Sequence, residues 1–206
     1  LREEVARRES EKGKAHLPRL WNGPQLALKR YVIGRTVPNE DMELRLVLQR
    51  SDYYTFQATV LSLDNVLPDG STLRGQYLSP TPVDPVPFLS IGLGVALVLI
   101  TKDEKFVLCR RSKDSGARAN ELDISVVEGV HLDKDRSAHD AGPDLYEAAV
   151  KGAKEELGIT LTKEDICFLG FGVDLDYYQW NVIGFARLAI TAEELIVERT
   201  RGSAGK

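Results

Sequence analysis

Two adjacent carboxylates, Glu155 and Glu156, stand in the last turn of a helix-like segment, 142–159, GPDLYEAAVKGAKEELGI. Leu145, Ala148, Ala149, Ala153 and Leu157 recur there at three- and four-residue steps. That spacing predicts a helix over 143–157 whose small-residue stripe packs closely on a sheet. Pro143 suits the first turn, Asp144 complements the positive end of the dipole, and Gly158 suits the left-handed residue that ends a helix. At the negative end each anion costs roughly 0.3–1 kcal/mol. Local stability gains nothing from the pair, whereas two neighbouring carboxylates reach one hard cation well. A surface helix end, partly neutralised by Lys151 and Lys154, accounts for the same residues, and Glu147 with Lys151 makes an ordinary i,i+4 pair.

Composition narrows the setting. The chain has 206 residues, 43% hydrophobic and 28% charged, enough for one good core and an appendage in a soluble protein. A formal net charge of −4 gives no electrostatic footprint for nucleic acid, so none is expected as a partner. Cys109 and Cys167 are too few for a disulfide framework or a cysteine metal site, and Cys109 reads as a small buried hydrophobe. The longest apolar run, 91–100, is half the length of a membrane span, and no secretory signal opens the chain. A cytoplasmic protein without a membrane partner is expected. The start at Leu1 suggests a processed product or a piece of something longer.

The elements that must position the carboxylates follow from pattern. Residues 1–16 are charged and helix-prone with almost no apolar face, which predicts a solvated arm or linker within 1–20. Strand-like runs at 26–33, 42–48 and 53–63 predict a small β extension, followed by a proline-rich linker over 64–87. The denser domain, 88–206, begins with a strand at 89–101, a turn at 102–105 and a return at 106–110. A loop at 113–121, a strand at 122–127 and an irregular loop at 128–141 come next. After the helix, strands are expected at 166–173 and 180–190, then a helix at 191–200 capped by Thr191, and a flexible tail from 202 on. The order implies an α/β fold, a mixed β-sheet with the central helix packed on one face.

That order, closed by EELGI, resembles the Nudix hydrolase family, whose signature reads G-x5-E-x7-R-E-U-x-E-E-x-G-U with U aliphatic. Glu155, Glu156, Gly158 and Ile159 match it, Ala153 is tolerable at the aliphatic position, and Lys151 keeps the charge of the Arg. The signature's first Gly falls on Ser137, its first Glu on Pro143, and the Glu after the Arg on Gly152. Glu128 and Gly129 lie where the family has Gly-Gly before its box. LWNGPQLALKRY, LVLQRSDYYTF and GLGVALVLITKDEKFVLCRRS resemble the branch that cleaves UDP-sugars, which carries a similar N-terminal β extension.

The resemblance implies an α/β/α sandwich and a metal-dependent hydrolase that cuts the diphosphate of a nucleoside diphosphate derivative with Mg²⁺ or Mn²⁺. It implies Glu155 and Glu156 as the metal ligands. The role left vacant by Gly152 falls first to Glu128, then to His131 or Asp133. Arg110 and Arg111 would grip phosphate through their donor forks. Tyr177, Tyr178 and Trp180 would stack on a nucleobase. For each there is a plainer role: a turn residue at Glu128, a hydrophilic loop for His131, Asp133, Asp135, His139 and Asp140, a surface ion pair for either Arg, core packing for the aromatics. A Gly inside a helix costs roughly 1 kcal/mol against Ala, so Gly152→Glu should stabilise wherever there is room. A competing reading is a Nudix-fold module that binds a nucleotide-like ligand or a protein without cutting it. A second subunit of a homodimer, the N-terminal arm, or further domains of a longer chain would cover what the sequence leaves open at the sheet's far side.

Overall fold

The computed structural model describes residues 1–17, 19–78, 81–113, 118–132, 135 and 142–203. The chain divides into two compact units, Leu1–Leu93 with Val173–Trp180, and Gly94–Gly172 with Asn181–Lys206.

The first unit opens with helix α1, Arg2–Lys14. It is no free arm. Val5 is 8% exposed and Glu9 is fully buried, its carboxylate accepting the Leu20 N–H and the Lys12 ammonium, each at 2.8 Å. Arg2 pairs with Asp52 at 2.9 Å. One apolar residue and one multiply bonded carboxylate tie down a helix whose composition reads as solvated. Strands β1, Pro24–Arg35, and β2, Met42–Asp52, form an antiparallel ribbon, as the alternation predicts. The expected third strand is instead helix α2, Tyr53–Ala58. Asp52 decides this: its side chain caps the helix by accepting the Thr55 N–H at 2.9 Å, and that bond outweighs the β propensity of Tyr53, Thr55 and Phe56. A short helix α3, Leu73–Tyr77, interrupts the proline-rich stretch.

The second unit is built on a six-stranded mixed sheet. Its strands are β3, Gly94–Ile100, β4, Phe106–Arg110, β5, Leu122–Ile124, β6, Val126–Gly129, β7, Ile166–Asp174, and β8, Gln179–Arg187. The order is β5-β4-β3-β8-β7, with β6 also on β3. β3 runs parallel to β8 and antiparallel to β4 and β6, so the α/β class and the mixed sheet are as expected. Two strands differ from expectation. β3 starts at Gly94 rather than 89, and the 122–127 run breaks at Ser125. The Ser125 hydroxyl is buried, donating to the Val107 carbonyl at 2.6 Å and accepting the Leu99 N–H at 2.7 Å. It takes the place of a ladder bond, which is why the strand is interrupted there.

Helix α4, Leu145–Leu157, carries the expected stripe. Ala148, Ala149 and Ala153 are fully buried and Leu157 nearly so, packed on β6 and β3. Pro143 stays outside the helix. Asp144 is the cap, its side chain accepting the Tyr146 and Glu147 N–H groups at 2.9 and 3.4 Å. Gly158 adopts φ 73°, the left-handed ending that a side chain would strain. Helix α5, Ala192–Ser203, is capped by Thr191, which exchanges hydrogen bonds with Glu194 at 2.7 and 3.3 Å. It extends through Ser203, past the point where the composition suggests a tail. Asp133, His139 and Asp140 of the 128–141 loop lie outside the described residues.

Candidate active site

Glu156 looks across a cleft of about 520 Å³ that lies wholly in the second unit. The end of β4 brings Arg110 and Arg111 to it, β5 brings Asp123, the last turn of α4 brings Glu156, and α5 brings Arg199. Glu156 is solvent-accessible as a residue, but its carboxylate reaches back to accept the Val127 N–H at 3.2 Å. Burial of that carboxyl in the cleft pushes its pKa up to about 7, with the negative charges of Glu128 and Asp123 adding to the shift. The Val127 hydrogen bond and the Arg111 charge oppose it.

Glu128 ends β6 beside the helix. A Cβ on Gly152 would stand 2.6 Å from the Glu128 Cβ and 3.2 Å from its Cγ. The Glu128 side chain therefore fills the place that a side chain at 152 would use. Residues 152 and 156 are one turn apart on the same helix face, so Glu128 and Glu156 flank one stretch of that face. Lys151 holds Glu128 at 3.2 Å and the buried Asp135 at 2.7 Å. Burial works to lower the Lys151 pKa, but Asp135 and Glu128 outweigh it and hold the ammonium above its ordinary value. Asp135 also accepts the His131 N–H at 2.6 Å, which fixes the start of the loop after β6.

Other expected residues are placed differently. Glu155 is exposed and does not line the cleft. Successive helix residues are turned by about 100°, so Glu155 and Glu156 leave the helix in different directions. Arg110 and Arg111 do border the cleft, the first donating to the Asn120 carbonyl at 2.6 Å, the second paired with Asp123 at 3.2 Å. Tyr178 and Trp180 belong to the first unit and are 0% and 2% exposed. The Tyr178 hydroxyl donates to the Asp84 carbonyl at 2.6 Å, and the Trp180 ring lies 6.1 Å from Tyr178 and 5.5 Å from Tyr31. These rings are packing, and no face is open for a base. Cys109 is half-buried at the cleft rather than fully buried, and burial pushes its thiol pKa up.

Two cleft residues escape sequence reasoning. Asp123 sits in a three-residue strand with no pattern to mark it, and Arg199 reads as one more charge on a solvated helix.

The oxygen-only set of Glu128 and Glu156 fits a hard divalent cation in kind. The Glu128 charge stands close enough to help raise the Glu156 pKa, and Mg²⁺ keeps several waters, so two protein oxygens suffice. Among the described residues no group of three His, Cys, Asp or Glu side chains gathers as a metal site. No described helix is long and apolar enough to cross a membrane.

No protein-family model matches the chain, and no curated protein does. Among solved structures, it is similar to the MutT protein from Methanosarcina mazei Go1, at 16% identity over 55% of this chain and 94% of that one, TM-score 0.37. It is similar to DR0079 from Deinococcus radiodurans at 20% identity, over 56% of this chain and 74% of that one, TM-score 0.36. A MutT/nudix family protein from Enterococcus faecalis shares 19% identity over 47% of this chain and 36% of its own, TM-score 0.35. Likenesses this distant do not assign an activity.

Proposed function

We propose that the chain is a Nudix-type, metal-dependent hydrolase that cleaves the diphosphate of a nucleoside diphosphate derivative, with UDP-sugars the first substrates to test. The observation that carries this reading is the pairing of Glu128 with Glu156: the carboxylate missing at Gly152 is supplied from β6, at the same place on the helix. A Mg²⁺ or Mn²⁺ ion held there would neutralise phosphate charge and acidify a water. Arg110 and Arg111 bind phosphate oxygens and orient the scissile bond. Glu156, whose pKa burial raises toward neutrality, can exchange its proton for a cation. Lys151 and Asp135 hold Glu128 against the helix. Water attacks one phosphorus, the bridging P–O bond breaks, and the products are a nucleoside monophosphate and a phosphorylated group. A cytoplasmic setting, where nucleotide sugars are used, accords with this reading.

The non-catalytic alternative is separated from the enzyme by experiment. Lys151 already supplies a cation 3.2 Å from Glu128, which serves a binding module as well as an enzyme. The test is turnover of UDP-sugars and other nucleoside diphosphate derivatives with Mg²⁺ or Mn²⁺, with Glu156→Gln as control. Turnover that needs metal and is lost in the variant supports the hydrolase. Nucleotide binding without turnover decides for the module.

A further inference from the structure

Helix α4 packs on one face of the sheet in the second unit. Leu97 lies opposite Val126, whose side chain meets Gly152 of the helix, so Val95, Leu97 and Leu99 point toward α4 and Ala96, Val98 and Ile100 away from it. Register carries that second face across the sheet. Ile183 and Phe185 of β8 lie opposite Ala96 and Val98, and Phe106 of β4 lies opposite Ile100. Leu108 follows Phe106 by two residues, and Leu122 of β5 lies opposite Arg110, two further on. On β7 the Phe168 ring packs 4.6 Å from Tyr146 of α4, which turns Cys167 and Leu169 to the second face. A sheet face left to water presents polar residues. Here Phe106, Leu108, Leu122, Leu169 and Ile183 point out instead, between 45% (Ile183) and 70% (Phe106) exposed, with Val98, Ile100 and Phe185 half-buried among them.

Size decides what fits. Five neighbouring strands about 4.8 Å apart, each giving about six residues of about 3.3 Å, make a face of roughly 500 Å². A single helix, about 11 Å across, would cover less than half of that width. A second copy of the same face covers all of it and buries roughly 1,000 Å² in total, the least that a specific interface needs. The geometry suits self-association, because sheets stack about 10 Å apart with their strands within about 30°, and a two-fold axis lets one patch meet itself. At one end of the face Arg187 is paired with Glu104 at 3.2 Å, so the charge there is balanced. The β1–β2 ribbon also exposes Val32, Ile33 and Met42, but its two strands are under half as wide and interleave Glu43 and Arg45.

We propose that this second sheet face is the interface of a symmetric dimer, covered by the same face of a second copy of the chain. The proposal does not depend on the hydrolase reading.

The experiment is sedimentation velocity of the whole chain in reducing buffer. Wild type should pass from monomer to dimer between about 1 and about 100 μM, the range of a small interface. Leu108→Glu and, separately, Leu169→Glu should each raise the dimer Kd at least about tenfold, since each would bury an unpaired charge against the second copy. Both side chains are exposed within the chain, so thermal melts of the dilute variants should match wild type. Ile33→Glu, on the ribbon, should leave the dimer intact. As a second readout, maleimide labelling of the exposed Cys167, located by mass spectrometry, should slow several-fold as wild type is concentrated. A chain that stays monomeric overturns the proposal, as does a dimer that both face variants leave intact or that Ile33→Glu breaks. Should a face variant fail to fold, the labelling decides: a Cys167 rate that does not change with concentration overturns the proposal, and protection supports it.

Discussion

The Cβ that Gly152 lacks would stand 2.6 Å from the Cβ of Glu128 and 2.8 Å from Cγ1 of Val126. Helix α4 and strand β6 meet through that missing side chain. The glycine makes room for the Glu128 side chain from the neighbouring strand, and the room on which a stabilising side chain at 152 depends is already taken.

Gly152→Ala should destabilise the protein by about 1–3 kcal/mol, because overpacking a closed helix–strand contact outweighs the helix-propensity gain of about 1 kcal/mol. Urea unfolding reads this directly. A variant more stable than wild type would show that the contact opens freely.

Glu156 should make stability depend on pH. Its folded pKa, about 7, lies above the ordinary value of 4.5, so the folded state binds more protons between those values. Its contribution is fully present below the unfolded pKa and is lost as pH rises through about 7. Glu156→Gln, which keeps no such titration, should gain on wild type from pH 4 to pH 8 in chelator. Because the residue is solvent-accessible, the gain is discounted to about 1 kcal/mol. Parallel stability profiles for the two proteins would place the Glu156 carboxyl in water.

Lys151→Met should cost about 3–5 kcal/mol, since it strands the buried Asp135 carboxylate and frees Glu128. Lys151→Arg should recover most of that. Thermal melts distinguish the outcomes, and a neutral Lys151→Met would mean that Asp135 is not held by this pair.

Tyr178→Phe should cost about 1 kcal/mol for the lost bond to the Asp84 carbonyl and leave the KM for any nucleotide substrate unchanged. A large rise in KM at unchanged stability would return Tyr178 to a ligand-binding role.

Much of this was legible from residue spacing. The stripe of Ala148, Ala149, Ala153 and Leu157 places α4, and Gly158 ends it, because these signals are local and periodic. The Tyr53 segment misleads because one side-chain bond from Asp52 outweighs β propensity. The adjacency of Glu155 and Glu156 does not show which of them borders the cleft, since helix geometry turns neighbours apart; Glu156 does and Glu155 does not. Glu128 was reachable only through the family resemblance, and its contact with Gly152 is a matter of packing that no spacing encodes. Asp123 and Arg199 join the cleft from separate elements with no shared pattern. The aromatics Tyr178 and Trp180 are core because their polar and ring partners lie far away in sequence.

The central claim is that Glu128 and Glu156, not Glu155 and Glu156, hold the cation. Mn²⁺ titration followed by calorimetry, on wild type and on Glu128→Gln, Glu155→Gln and Glu156→Gln, tests it most directly. Glu128→Gln and Glu156→Gln should each weaken binding at least about tenfold, the loss of one charged oxygen ligand, while Glu155→Gln binds as wild type does. Loss of binding in Glu155→Gln with Glu128→Gln unaffected would contradict the account.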